Sequence, residues 1–252
     1  MFRNEDLDPQ RSKPEFAQAM IDDLQWLGIH WQEGPDIGGP FAPYEQSRRR
    51  EVYLETWRKL RDGGFIYPCT CSRKELSTSA AAPNEGDDEP LYPGRCRVKI
   101  GEASRYRSPA GVNWRFRVPD GEAIAFDDQR QGTQRFVAGQ DFGDFVVWRR
   151  DDVPAYQLAV VADDAAMRIT EVVRGADLLK STARQLLLIR ALGLTIPGYY
   201  HCDLVRDEGG IRLAKRHDAL SLRTLRRQGC TPQEVLKMCG SEISPPGLKP
   251  DS

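Results

Sequence analysis

Three cysteines lie close together in "CTCSRKEL…LYPGRCR". Cys69 and Cys71 are one residue apart, and Cys96 follows downstream with Tyr92 four residues before it. Zinc takes four ligands in a tetrahedron, usually thiolate or imidazole. The cysteines supply three, and the histidines, His30, His201 and His217, lie far along the chain. The fourth donor is then a carboxylate, a water or the Tyr92 phenolate. The phenolate requires the metal to drive off a proton whose ordinary pKa is about 10. Three free cysteines buried beside a core Tyr92 fit the same spacing, because C-x-C is a weaker signature than paired C-x-x-C. A redox role is disfavoured, since no thioredoxin-like βαβ pattern surrounds the pair.

Two further sites carry chemistry. "RLAKRHDALSLRTLRR" places Arg212, Lys215 and Arg216 in a loop ahead of a basic helix. A lysine there can reach a polyphosphate and neutralise charge on a departing group; an ordinary solvated basic turn looks the same. Arg174 ends "RITEVVRG", which reads as a strand. Ligands of open α/β sheets bind outside the carboxyl ends of strands, and an arginine there can clamp a carboxylate. A surface salt bridge with Asp177 is the plain alternative. Tyr156 opens the preceding element and can line the same crevice or simply pack in the core.

Several elements must position these groups. Ser12 and Glu15 have capping-box spacing, Pro14 sits in the first turn, and Phe16, Met20, Leu24 and Leu27 recur at helical spacing before Gly28. A second helix is expected from about Arg48 to Arg61, with Val52, Leu54, Trp57 and Leu60 apolar, and "FIYPC" is a short strand leading into the cysteines. Residues 77–90 are small, polar and acidic and read as a surface loop; residues 112–150 alternate apolar runs with turns and suggest a β-rich excursion. "AYQLAVVADDAAM" fits strand or helix. After "RITEVVRG", Asp177 can cap a helix carrying Leu178, Leu179, Leu186, Leu187 and Leu192, closed by Gly193. Strand, turn, helix, then the strand "YYHCDLVRD" is the grammar of a parallel α/β sheet.

Composition sets limits. The 252 residues suffice for one sizeable core, and a net charge of −1 argues against bulk nucleic-acid binding, leaving only a local basic patch. A zinc-dependent nucleic-acid-binding module would need a strong basic face, which the balance of charge does not favour. Arg48, Arg49, Arg50, Arg223, Arg226 and Arg227 are candidates for contact with an RNA partner, though solvated faces look alike. No apolar run approaches the ~20 residues of a membrane span. No signal-peptide pattern is present, so a cytoplasmic protein with no membrane partner is expected. Six cysteines in a chain that is neither short nor secreted point away from a disulfide framework.

In order and spacing, "NEDLDPQRSKPEFAQAMIDDLQWLGIHW", "GGPFAPYEQS", "IYPCTCSRKEL", "YPGRCR", "AYQLAVVADDAAMRITEVVRGADLLKSTARQLLLIRALG" and "RLAKRHDALSL" resemble the glutamyl-queuosine tRNA(Asp) synthetases, short paralogues of class I glutamyl-tRNA synthetase. The resemblance runs from about residue 3 to residue 228. It implies an α/β fold: a Rossmann-like class I aminoacyl-tRNA synthetase catalytic domain with a zinc-bearing insertion and a short helical C-terminal part. The implied segments are 1–66 for the first half of that domain, 67–150 for the zinc-bearing and β-rich insertion, and 151–200 for the second half. Residues 201–240 would form the KMSKS-like loop and helical end, and 241–252 a disordered tail.

The implied chemistry is activation of glutamate by ATP with magnesium, without tRNA, to glutamyl-adenylate. The glutamyl group then passes to the queuosine base at the wobble position of tRNA(Asp). Glu5 matches the residue holding the substrate α-ammonium, and Tyr156 and Arg174 match the other glutamate positions, Arg174 partnering a carboxylate. Arg212, Leu213, Ala214, Lys215 and Arg216 occupy the KMSKS position, with Lys215 steadying the ATP phosphates during catalysis. Cys69, Cys71, Tyr92 and Cys96 match the ligands of one structural zinc, and a monomer is implied.

Departures from the family pattern accompany the match. Ala214 replaces the loop serine, the acidic loop before Tyr92 is longer, and Asn4 replaces an apolar residue at an expected buried strand end. The family begins with a strand and a HIGH-type loop and helix, some thirty residues ahead of "EDLD", that this sequence does not contain. The resemblance therefore implies an N-terminally truncated domain, from a late start codon or a shortened gene product, with impaired activity as it stands. The alternative is a remnant that binds tRNA or glutamate without activating it.

Overall fold

The computed structural model describes residues 1–8, 12–71, 91–97, 102–204 and 221–238. The chain divides into two compact units, one of Met1–Glu45 with Leu204–Ser252 and one of Gln46–Asp203.

In the first unit, α1 spans Pro14–Trp26 with proline in its first turn, where the missing N–H costs nothing. The capping box does not form. Lys13 takes the extended N-cap conformation without a side-chain cap, and the Ser12 N–H is used by the Asp8 carbonyl at 2.8 Å. The expected apolar face is also displaced. Phe16 and Met20 are exposed and Ile21 is the buried residue of α1. Asn4 forms a parallel bridge with Glu45, and its N–H reaches the Tyr44 carbonyl at 2.9 Å. Tyr44 is buried and donates to Glu33 at 2.6 Å; Gly39, at φ +145°, leaves room for that phenol, which a Cβ would meet at 2.3 Å. Two short helices, α5 (Leu222–Arg227) and α6 (Pro232–Met238), belong to the same unit, and Ser221 caps α5 by accepting from the Thr224 N–H.

The second unit opens with α2 (Arg50–Asp62), after a 3-10 turn at Gln46–Arg48. Tyr53, Trp57 and Leu60 recur at helical spacing and are fully buried, so α2 is anchored by a tyrosine as well as by the expected tryptophan and leucine. Strands β1 (Ile66–Cys69), β2 (Asn113–Phe116) and β5 (Phe145–Trp148) form an antiparallel sheet in the order β1-β2-β5. Trp57 meets Trp114 edge-on at 4.9 Å, and Phe116 stacks on Phe145 at 5.3 Å. The β-rich excursion is therefore real, completed by the hairpin of β3 (Ala123–Asp128) and β4 (Gly132–Val137).

The ambiguous apolar run is helix α3 (Tyr156–Ala166). It leads to β6 (Glu171–Gly175), α4 (Leu179–Leu192) and β7 (Gly198–Cys202), and β6 pairs with β7 in parallel. Asp177 does not cap α4, because a 3-10 turn at Ala176–Leu178 intervenes and Leu178 holds the N-cap position. Gly193, left-handed at φ 63°, ends α4 as its sequence position requires.

One buried ionic group ties α2 to α3. Asp163, with no exposed surface, accepts from Arg49 at 2.6 Å, Gln46 at 2.8 Å and the Tyr53 hydroxyl at 2.8 Å. Removing one partner of a buried pair strands the other charge, at about 3–5 kcal/mol. Asp163→Ala is expected to lose stability on that scale in urea unfolding, whereas a loss below ~1 kcal/mol would show that the cluster does not anchor the two helices.

Candidate active site and metal centre

The second unit carries two polar constructions. The first brings the cysteines together. The sulfurs of Cys69, Cys71 and Cys96 all lie within 4.8 Å of one another, and none forms a disulfide. Cys69 is the last residue of β1, Cys71 follows two residues later, and Cys96 comes from the segment 91–97. Cys71 and Cys96 sulfurs are 3.5 Å apart, and the Tyr92 oxygen is 3.5 Å from both Cys69 and Cys71. A tetrahedral zinc with metal–sulfur bonds near 2.3 Å needs donor edges of about 3.5–3.8 Å, so this donor set fits such an ion. The Tyr92 oxygen already accepts from the Cys96 N–H at 2.8 Å. Burial pushes the Tyr92 phenol above its usual 10, so a nearby cation is what would make it a ligand. Burial also acts to raise the Cys96 thiol, but hydrogen bonds from Tyr92 and the Thr70 backbone outweigh it and bring it down to about 7.

The scaffold of this knuckle was not legible in the sequence. Asp144, buried at the start of β5, takes a two-pronged contact from Arg97, with Nε and Nη2 each at 2.6 Å. It also accepts from the Val118 N–H at 2.9 Å and from the Tyr67 hydroxyl. Tyr67 lies two residues before Cys69 and Arg97 directly follows Cys96, so one carboxylate fastens both halves of the cluster. Arg115 covers the Tyr92 ring at 4.2 Å. Gly143 fits closely, since a Cβ there would stand 3.0 Å from the Tyr92 backbone nitrogen and push that segment by a few tenths of an ångström.

The second construction surrounds Arg174, the penultimate residue of β6. Its Nε donates to His201 Nε2 at 3.1 Å, and its Nη2 donates to Thr182 Oγ1 at 2.6 Å and Gln185 Oε1 at 2.8 Å. Among the described residues Arg174 makes no ion pair, so the salt bridge with Asp177 does not form. His201, fully buried, has Nδ1 2.6 Å from the Asp128 carboxylate. With Nε2 accepting from Arg174, the ring proton belongs on Nδ1 and is donated to Asp128. Asp128 also accepts from the N–H groups of Arg130, Gln131 and His201. Burial would raise its pKa, but these bonds, led by His201, hold it at about 2.

Tyr156, partly exposed, begins α3 beside Gln157. Gln157 accepts from Gln185 at 2.9 Å and donates to Ser181 at 3.1 Å, so the Tyr156 end of α3 and Arg174 belong to one hydrogen-bonded network. Asp128 and His201 escaped the sequence reading. The signal available was alternation: Ile124 and Asp128 are buried in β3, and Tyr199 and His201 in β7. Glu5 belongs to the first unit, is exposed, and pairs with Arg3 at 3.2 Å. Arg212, Leu213, Ala214, Lys215 and Arg216, the acidic loop at 77–90 and the tail at 241–252 lie outside the described residues. No helix of the described residues is long and apolar enough to cross a membrane.

Two features of the second unit stand beside the family comparison: an arginine held by neutral acceptors on a parallel strand pair, and a thiol–phenol knuckle at the end of an antiparallel sheet strand. The matching family model is that of tRNA synthetases class I (E and Q), catalytic domain, over residues 1–245. A glutamyl-Q tRNA(Asp) synthetase of Symbiobacterium thermophilum is 49% identical over 239 residues, 94% of this chain and 73% of that protein. One from Nitratidesulfovibrio vulgaris is 51% identical over 234 residues, 91% of this chain and 71% of that protein. The crystal structure of a glutamate-tRNA synthetase from Elizabethkingia anophelis superposes with a TM-score of 0.71 at 28% identity. That match covers 87% of this chain and 46% of the solved chain, so this chain spans under half of it. The chain belongs to the class I (E and Q) tRNA synthetases, a family of ligases, and within them to the glutamyl-Q tRNA(Asp) synthetases.

Two outcomes follow. Metal analysis of purified protein is expected to find about one zinc per chain, lost in Cys96→Ser; equal loading of both would contradict the ligand set. Asp128 has a pKa below its unfolded value, so its contribution is present above about pH 4 and is lost as pH falls through about 2. Asp128→Asn should cost about 2 kcal/mol at pH 7, a gap to wild type that narrows between pH 4 and 2. A gap that does not change with pH would contradict this.

Proposed function

We propose that the chain activates glutamate with ATP and magnesium, without tRNA, and passes the glutamyl group to the queuosine base at the wobble position of tRNA(Asp). The glutamate carboxylate attacks the α-phosphorus of ATP and pyrophosphate leaves. A hydroxyl of the modified base then displaces AMP to form the ester. The observation that carries the reading is Arg174: a guanidinium near the carboxyl end of a parallel strand, oriented by His201, Thr182 and Gln185 with no acid on it among the described residues. Such an arginine suits a carboxylate ligand. The two glutamyl-Q tRNA(Asp) synthetases at about half identity supply the acceptor.

The remaining roles follow the family pattern. Arg174 takes a substrate carboxylate, Tyr156 lines the same pocket, and Glu5 holds the α-ammonium. Lys215, in the loop Arg212–Leu213–Ala214–Lys215–Arg216, steadies the ATP phosphates as pyrophosphate departs. Cys69, Cys71, Cys96 and Tyr92 would hold one zinc, which fastens the knuckle and takes no part in the reaction. The protein acts as a cytoplasmic monomer.

Glutamate-dependent ATP–pyrophosphate exchange without tRNA tests the reading. Arg174→Ala is expected to weaken glutamate about 100-fold, as loss of a charge-assisted pair implies. Lys215→Ala should cut exchange by a similar factor and leave equilibrium glutamate binding within about twofold. Equal loss of both in Lys215→Ala would contradict its role. Glutamate binding with no exchange would instead favour a remnant that holds the amino acid without activating it.

A further inference from the structure

We infer that Asp128, His201, Thr182 and Gln185 are positioning residues that, among the described residues, orient Arg174 through uncharged acceptors alone, keeping its full charge for the substrate carboxylate; this rests on the glutamate reading above. An arginine in a half-buried site needs partners for its five N–H groups. The usual partner is a carboxylate, which orients the fork but neutralises it and competes with an anionic ligand. Here, among the described residues, the hydrogen-bond acceptors on Arg174 are an imidazole nitrogen, a hydroxyl and an amide oxygen.

The acid is present, but one ring away. Asp128 touches His201 Nδ1, and the imidazole stands between that carboxylate and the guanidinium. The carboxylate fixes which nitrogen carries the proton, and so fixes Nε2 as an acceptor, without meeting the arginine. The Thr182 hydroxyl has two acceptors within reach, His201 Nε2 at 3.0 Å and the Leu178 carbonyl at 3.2 Å, and donation to either leaves its oxygen able to accept from Arg174. Gln185 donates to Gln157 at 2.9 Å, which fixes its amide with the oxygen toward Arg174. Each acceptor is thus oriented by a second bond. Among the described residues Nη1 takes no part in these bonds, so one arm of the fork remains for a ligand.

Gln185→Glu tests this with a change of one atom, placing a carboxylate oxygen where the amide oxygen now accepts. The change also removes the amide donation to Gln157, so the thermal midpoint is measured beside binding. The inference expects a thermal midpoint equal to or above wild type and a glutamate Kd, by isothermal titration, weakened about tenfold or more. Binding within twofold of wild type in a folded Gln185→Glu protein overturns the inference. His201→Leu removes the ring acceptor and His201→Gln returns one, so glutamate should weaken at least fivefold in the first and recover to within about threefold in the second. A His201→Leu protein that binds as wild type also overturns it. If the wild type binds no glutamate, or Arg174→Ala binds as well as wild type, the glutamate reading itself fails and the inference with it.

Discussion

The parallel pairing of β6 with β7 is the constraint on which the placement of Arg174 depends. Its register sets Arg174 directly opposite His201. A slip of one residue would turn every side chain of β7 to the other face and exchange His201 for an exposed neighbour. The register is held from outside the pair. Asp128, at the end of β3, takes both the backbone N–H and the ring nitrogen of His201, and the Gln129 N–H reaches the Tyr199 carbonyl at 3.0 Å. Phe126 packs against the rings of Tyr199 and His201, so an apolar contact and a buried carboxylate fix the same strand. On the other side, α4 offers Thr182 and Gln185 three residues apart, on one helical face, to the same guanidinium.

The cysteine knuckle solves a different problem. Its cysteines and tyrosine come from the end of one strand and from a segment more than twenty residues later, so their closeness must be enforced. Asp144 does this by joining Tyr67 to Arg97, and a buried carboxylate with several charged and neutral donors is stable where an unpaired one would not be. The knuckle therefore sits on a sheet whose aromatic core, Trp57, Trp114, Phe116 and Phe145, is complete without any metal contact.

Much of this was legible in the chain. Arg174 at a strand end, the glycine that stops α4 and the three convergent cysteines are local signals, read from residue type and spacing. The failures share a cause. Ser12 and Glu15 have the spacing of a capping box, yet the turn from Asp8 uses the serine N–H and the helix begins one residue later. Asp177 has a good capping residue type, but a 3-10 turn separates it from α4. Asp128, Asp144, Asp163 and His201 were invisible as functional groups. A buried polar residue acquires meaning only from the partner it meets, and the side chains that Asp128, Asp144 and Asp163 join come from as far as 117 residues away in sequence. The family resemblance supplied the roles of Glu5, Tyr156 and Arg174; it did not supply the network that orients the arginine.

The central claim is that the Arg174 guanidinium, held by neutral partners, receives a carboxylate of the amino acid. A crystal structure with a stable mimic of glutamyl-adenylate measures this directly. The account predicts an acidic group of the glutamyl moiety within hydrogen-bond distance of Arg174, with His201, Thr182 and Gln185 still on the guanidinium. A ligand bound elsewhere, or an Arg174 that leaves those three acceptors to reach it, would contradict the account.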